Sequence, residues 1–267
     1  MSHPRSPSVL VVVPTLGERI ETLEESLTSV RAQKGVDTHL VVVVPDAATE
    51  AREVARRHGA TLVSDPGRGL SAAVNVGIGA RQGEEFYAWL GDDDLLVAGG
   101  LARLAGLLDA DPAAVVAYGA CPYIDDRGRT VTVSRAGDLA ARILAWGPDL
   151  VPQPASLTRV EPLLAAGVYD ETLKFAMDLD MFLRLKRLGR FVSTKEDVAA
   201  FRWHADSLTV ANRGLSLAES EKVKRRYLRP GVRRFSPLWD VPVRVATRVA
   251  ARQVNVRARR VAAASQG

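Results

Sequence analysis

Four short apolar runs, Val9–Val13, Leu40–Val44, Thr61–Val63 and Phe86–Leu90, recur with a helix-length segment between each pair. This alternation leaves few folds open. Unbroken runs of branched apolar residues call for burial on both faces, and strands joined through helices run parallel. The intervening segments Glu18–Gln33, Ala47–His58 and Leu70–Arg81 read as helices, the first with Ile20, Leu23, Leu27 and Val30 on one face. The expected fold is therefore α/β, a mostly parallel sheet flanked by helices. Ligands of such sheets bind outside the carboxyl ends of the strands. Pro14-Thr15, Pro45-Asp46 and Asp92–Asp94 should gather there.

Beyond the fourth run the pattern loosens. Leu95–Leu108 is expected to be a helix, with the acidic run before it as its cap. Val115–Tyr118 and Thr130–Val133 read as strands about a turn at Asp125–Gly128, and Leu139–Trp146 and Glu161–Ala166 as helices. Asp178–Leu188 is amphipathic, with Met181, Phe182, Leu185 and Leu188 near one face. The expected organisation is a disordered segment 1–8, a first half 9–110, a smaller second half 111–220, and a basic, helical extension 221–267.

Charge separates that extension from the rest. From Lys222 onward thirteen Lys and Arg face only Asp240, so this stretch carries +12 of a net +5 and the preceding 221 residues carry −7. Such a stretch attracts anionic lipid, nucleic acid or an acidic partner. Val241, Val245 and Val249 line one helical stripe beside Arg244, Arg248 and Arg252, while Val243, Val254 and Val261 fall on another side. The stripe supports membrane-surface docking or ordinary packing. No nucleic-acid partner is expected, because the only aromatics interleaved with the charges are Tyr227, Phe235 and Trp239. A single cysteine, Cys121, and the lack of a long apolar run in Met1–Ser8 lead to the expectation of a cytoplasmic location, peripheral to the membrane face at most.

Gly91-Asp92-Asp93-Asp94, arriving directly after a buried strand, carries the clearest chemistry. Three adjacent carboxylates repel one another, so they suit either a solvated turn or a hard divalent cation. Asp178 opens a helix, where it can serve as a cap or as a general base within reach of an acceptor hydroxyl. In Phe201-Arg202-Trp203-His204, Arg202 and His204 could contact a diphosphate or its ion. Asp46 can close a turn or accept from a nucleobase or ribose. The glycines at 67, 69, 77 and 79 do not form the dinucleotide fingerprint G-x-G-x-x-G.

Taken in order, these segments resemble the family-two inverting glycosyltransferases of the GT-A fold. Val11-Val12-Val13-Pro14-Thr15 resembles the opening strand and turn, and Ser29–Gln33 the S-x-x-x-Q helix end. Asp46 falls where the family holds the donor's base. Gly69–Gly77 is similar to G-x-x-x-A-x-N-x-G, and Trp89–Asp94 to the metal-binding DxD region. Val151–Ser156 and Ala166–Glu171 resemble acceptor-side segments, and Asp178–Arg184 the helix bearing the base. The resemblance implies a Rossmann-like nucleotide-binding sheet, with 9–110 as the nucleotide-sugar-binding half and 111–220 as the acceptor-binding and catalytic-base half. It implies a nucleotide-diphosphate sugar donor contacted by Pro14, Thr15, Glu18, Asp46, Arg68, Asn75, Asp92, Asp93 and Arg202. It implies Mg²⁺ or Mn²⁺ on Asp92, Asp94 and His204, Asp178 as catalytic base, and a saccharide or lipid-linked acceptor in polysaccharide, glycolipid or glycoconjugate synthesis. Two rivals stand beside it. A sugar nucleotidyltransferase would carry a glycine-rich basic loop after the first strand, which Pro14–Glu18 does not provide; a non-catalytic sugar-nucleotide-binding protein of the same fold would not need Asp178.

Overall fold

In the computed structural model, which describes residues 6–135, 137–203 and 213–263, the four apolar runs form parallel strands. They are β1 (Ser8–Pro14), β2 (Asp37–Val44), β3 (Thr61–Ser64) and β4 (Phe86–Trp89), ordered β3-β2-β1-β4. β1 begins at Ser8, the last residue of the segment expected to be disordered. Side chains alternate across the sheet. Val9, Val11, Val13, Val42 and Val44 join one core with Leu23 and Leu27 of α1 (Ile20–Arg31) and Val54 of α2 (Thr49–Arg57). Leu10, Val12, Val41 and Val43 join the other with Val74 and Ile78 of α3 (Leu70–Gly79). Each fully buried Val or Leu contributes about 1.5–3 kcal/mol, which is why both faces of these strands read as apolar. α3 packs so close that a Cβ on Gly77 would lie 2.4 Å from Val12 Cγ1.

The second half extends the same sheet. β6 (Ala114–Ile124) is its spine, antiparallel to β8 (Ser156–Arg159) and β7 (Thr130–Ser134), and parallel to β9 (Arg190–Asp197) and β10 (Ala199–Arg202). β8 also runs antiparallel to β4, so the two halves share one sheet. β8, β9 and β10 were not expected: β8 and β10 are four residues long, and β9 is half-exposed without an alternating pattern.

The helix expected over Leu95–Leu108 starts five residues later, as α4 (Gly100–Ala110). Leu95 and Leu96 instead form β5, paired with Ala200 and Ala199, and Gly99 turns the chain at φ 73°. Asp94 therefore does not cap a helix. The motif Ser29…Gln33 accounts for this turn. Ser29 Oγ accepts the Leu96 N–H at 3.0 Å, while the Gln33 amide donates to Val97 O at 3.0 Å and accepts from Leu101 N at 3.2 Å. Two residues of α1 thus fix the exit of the acidic loop.

After α5 (Asp138–Ile143), a 3₁₀ turn at Gln153–Ala155 and α6 (Val160–Ala166), α7 (Met177–Leu185) carries Asp178. The basic extension folds into α8 (Arg213–Tyr227), α9 (Pro230–Arg233) and α10 (Pro237–Ala263). α8 crosses the boundary expected at residue 221, and α10 carries Pro242 inside it.

Candidate active site at the carboxyl edge of the sheet

β4 delivers the acidic loop to the edge where β1 and β2 also end. Thr15, buried just past β1, donates its hydroxyl to Asp92 Oδ2 at 2.6 Å and accepts the Gly17 N–H at 2.9 Å. Burial pushes the Asp92 carboxyl above its usual pKa; the Thr15 hydroxyl and Arg19 counter this, and the Asp93 charge reinforces it. Asp93 itself is ion-paired with Arg19. Asp94 is buried, and its Oδ1 accepts the Arg202 backbone N–H at 2.9 Å. Pro14 is buried at the end of β1, whereas Glu18 is exposed beyond the turn. Asp46 stands exposed after β2, its Oδ1 accepting from Ser64 at 2.6 Å and Arg52 at 3.0 Å.

The loop presents carboxylate oxygens of the kind a hard cation would need. A Cβ built on Gly91 would lie 3.0 Å from both Asp93 Oδ1 and Asp94 Oδ2, so the absent side chain leaves an oxygen-lined cradle. Carboxylate oxygens suit Mg²⁺ or Mn²⁺. A divalent charge there would also offset the cost of ionising buried Asp92. Among the described residues, no three His, Cys, Asp or Glu side chains form a ready-made metal cluster. His204 lies outside the described residues.

Arg202, expected at the diphosphate, is turned inward instead. It is 2% exposed. Its guanidinium donates to Asp93 O at 2.9 Å, to Asp125 O at 3.3 Å, to Asp126 O at 3.1 Å and to Glu25 of α1. Asn75 is also committed elsewhere. Its amide donates to Tyr169 O at 2.9 Å and accepts the Tyr169 N–H at 2.9 Å, and Arg68 pairs with Glu171 at 3.0 Å. Both residues therefore tie α3 to the segment 169–171. Val168, a β-branched residue at φ 49°, supplies the turn into that segment.

Asp178 sits in the first turn of α7, partly buried, with one oxygen accepting the Trp89 indole N–H at 3.0 Å. Burial lifts its pKa to about 7, against the opposing indole N–H and with a smaller push from Asp149. Trp89 is the last residue of β4, and Asp92 follows three positions later. A carboxyl ionising near neutrality thus stands next to the strand that carries the acidic loop. That pairing suits general-base chemistry beside an anionic ligand.

The sequence model for glycosyl transferase family 2 matches residues 10–163, more than half of the chain. The chain belongs to glycosyl transferase family 2. It is 30% identical over 178 residues to an uncharacterized glycosyltransferase of Mycobacterium bovis, covering 64% of this chain and 77% of the relative. An uncharacterized glycosyltransferase of Rickettsia prowazekii is 23% identical over 215 residues, 76% of this chain and 66% of the relative. Among solved structures, the mannosyltransferase PcManGT of Pyrobaculum calidifontis, in complex with GDP-Man and Mn²⁺, superposes with a TM-score of 0.64 at 20% identity, over 99% of this chain and 81% of that one. Residues 1–349 of S. aureus TarS, in complex with UDP-GlcNAc, give 0.61 at 18% identity, over 86% and 73%. The match spans 42% of the longer TarS structure. At these identities the structural likeness establishes the fold, GT-A.

This family-two glycosyltransferase also uses residues that motif reading passed over. Trp89 is one: a nearly buried indole must place its N–H on an acceptor, and a Trp just before an acidic run was a readable hint. Gln153 donates its amide to Trp89 O at 2.6 Å, fixing the end of β4 from the second half of the chain. Glu219 of α8 accepts the backbone N–H groups of Lys174, Phe175 and Ala176, the last two at 2.6 and 2.8 Å. It holds the chain leading into Asp178. Nothing local in the sequence marks that long-range contact.

Proposed function

We propose that this glycosyltransferase moves a sugar from a nucleotide-diphosphate donor to an acceptor hydroxyl, with inversion at the anomeric carbon and with Asp178 as base. The observation that carries the reading is the Asp178 carboxyl, ionising at about 7 and hydrogen-bonded to the terminal residue of the strand that bears Asp92–Asp94. As the acceptor oxygen bonds to the anomeric carbon, its proton passes to Asp178 and the bond to the diphosphate oxygen breaks. The nucleoside diphosphate departs with that electron pair. Mg²⁺ or Mn²⁺ at the Asp92–Asp94 loop, when bound, neutralises charge on the leaving group. Asp92 and Asp94 are the assigned ligands, with Asp93 lining the cradle. Thr15 orients Asp92, and Asp46 would accept from the ribose or base. Arg202 acts as a brace rather than as a donor contact.

The donor class draws support from the GDP-Man and UDP-GlcNAc complexes of the two structural neighbours. The acceptor is assigned as a saccharide or lipid-linked hydroxyl of a polysaccharide, glycolipid or glycoconjugate. Direct displacement inverts the anomeric centre. Proton NMR of the first-formed product should therefore show the configuration opposite to that of the donor. Retention would rule out single displacement and with it the role of Asp178.

A further inference from the structure

α10 has two apolar faces, and only one is covered. On the first, Val243, Thr247, Val254 and Val261 are part-buried, and the helix packs along β7, with Arg257 donating to Thr132 Oγ1 at 3.1 Å. Asp240 lies buried on this side and pairs with Arg225 at 2.7 Å. α8 anchors the extension further, through Arg226–Asp170 at 3.2 Å and Arg244–Glu221 at 2.7 Å. The extension is therefore docked on the domain.

The second face is open. Leu238, Val241, Val245, Val249 and Val256 follow helical spacing along it, and the first four are 73, 55, 54 and 51% exposed. At 1.5 Å per residue this ridge runs roughly 27 Å. Exposed Arg248 and Arg252 lie on the same side, and Arg233 and Arg234 precede the helix. The only acidic residue after Glu221 is Asp240, and it is buried against the domain. An apolar stripe set among arginines, on a helix whose one carboxylate is buried against the domain, matches an anionic lipid surface in both chemistry and charge. No helix among the described residues is long and apolar enough to cross a membrane, so the helix would lie in the interface plane.

We infer that α10 seats this enzyme on anionic membrane by its Leu238–Val256 ridge. The inference does not depend on the sugar-transfer mechanism. The full chain should co-sediment with vesicles of phosphatidylcholine and phosphatidylglycerol, and far less with phosphatidylcholine alone. Val245→Asp/Val249→Asp should reduce binding on the order of tenfold or more. Arg248→Gln/Arg252→Gln should reduce it about fivefold per arginine at low salt. Both pairs are exposed, so an unchanged melting temperature verifies folding in each variant. Failure to bind vesicles, equal binding to neutral vesicles, or full binding by Val245→Asp/Val249→Asp would overturn the inference. So would light scattering that shows a dimer broken by the same aspartates, since the ridge would then join two copies.

Discussion

Asp178→Asn is expected to lower turnover about 10²–10⁴-fold, the usual worth of a general base, with donor affinity nearly unchanged. The wild-type rate should rise with pH as one group deprotonates near 7 and level off above it. The variant should lose that limb. Stability should move the opposite way. In the folded protein Asp178 ionises at about 7, against about 3.9 when unfolded. The folded state therefore holds the extra proton, and stability is highest below pH 4, declines from there to pH 7, and is flat beyond. Above pH 7 the buried charge costs about 4 kcal/mol, a cost that asparagine removes while still accepting from Trp89. The variant should thus be dead but harder to melt at pH 8. Equal turnover, or a variant that melts earlier at pH 8, would contradict the assignment.

Arg202→Met is expected to cost on the order of 3 kcal/mol, because losing the buried donor leaves backbone acceptors unpaired at about 1–3 kcal/mol each. Methionine fills similar space but leaves the carbonyls of Asp93, Asp125 and Asp126 without their donor. Lysine should not rescue it, because a single ammonium cannot replace a planar fork serving four acceptors. Urea unfolding monitored by tryptophan fluorescence reads the loss. A difference under about 1 kcal/mol would show that the acidic loop holds its shape without this brace.

The two roles differ in how visible they were from the sequence. The β1–β4 half was legible because its signals are local: valine runs, amphipathic helices and glycine turns all act within a few residues. Asp178 and Asp92 were singled out for the same reason, as charges at the ends of apolar elements. Arg202 was singled out too, but its burial was not legible. Its partners lie on α1, the acidic loop and the Asp125 turn, and only the pairing of β10 with β6 brings them together. Leu95-Leu96 has helical surroundings and becomes a strand because Ala199-Ala200 offers a backbone edge. Asn75 was expected to contact the donor; in the structure its amide clamps Tyr169, 94 residues away. The imperfect amphipathicity of the last helix was a true signal of two faces, one packed and one open, which a single hydrophobic stripe could not describe.

The identity of the acidic loop as the donor-diphosphate site is open to one direct measurement. Calorimetric titration of GDP- and UDP-sugars into the protein, with Mn²⁺ and then with EDTA, reads donor and metal together. At least one nucleotide sugar is expected to bind only with Mn²⁺, and Gly91→Ala, which fills the cradle between Asp93 and Asp94, should abolish that dependence without unfolding the chain. Nucleotide-sugar affinity indifferent to both EDTA and Gly91→Ala would contradict the site.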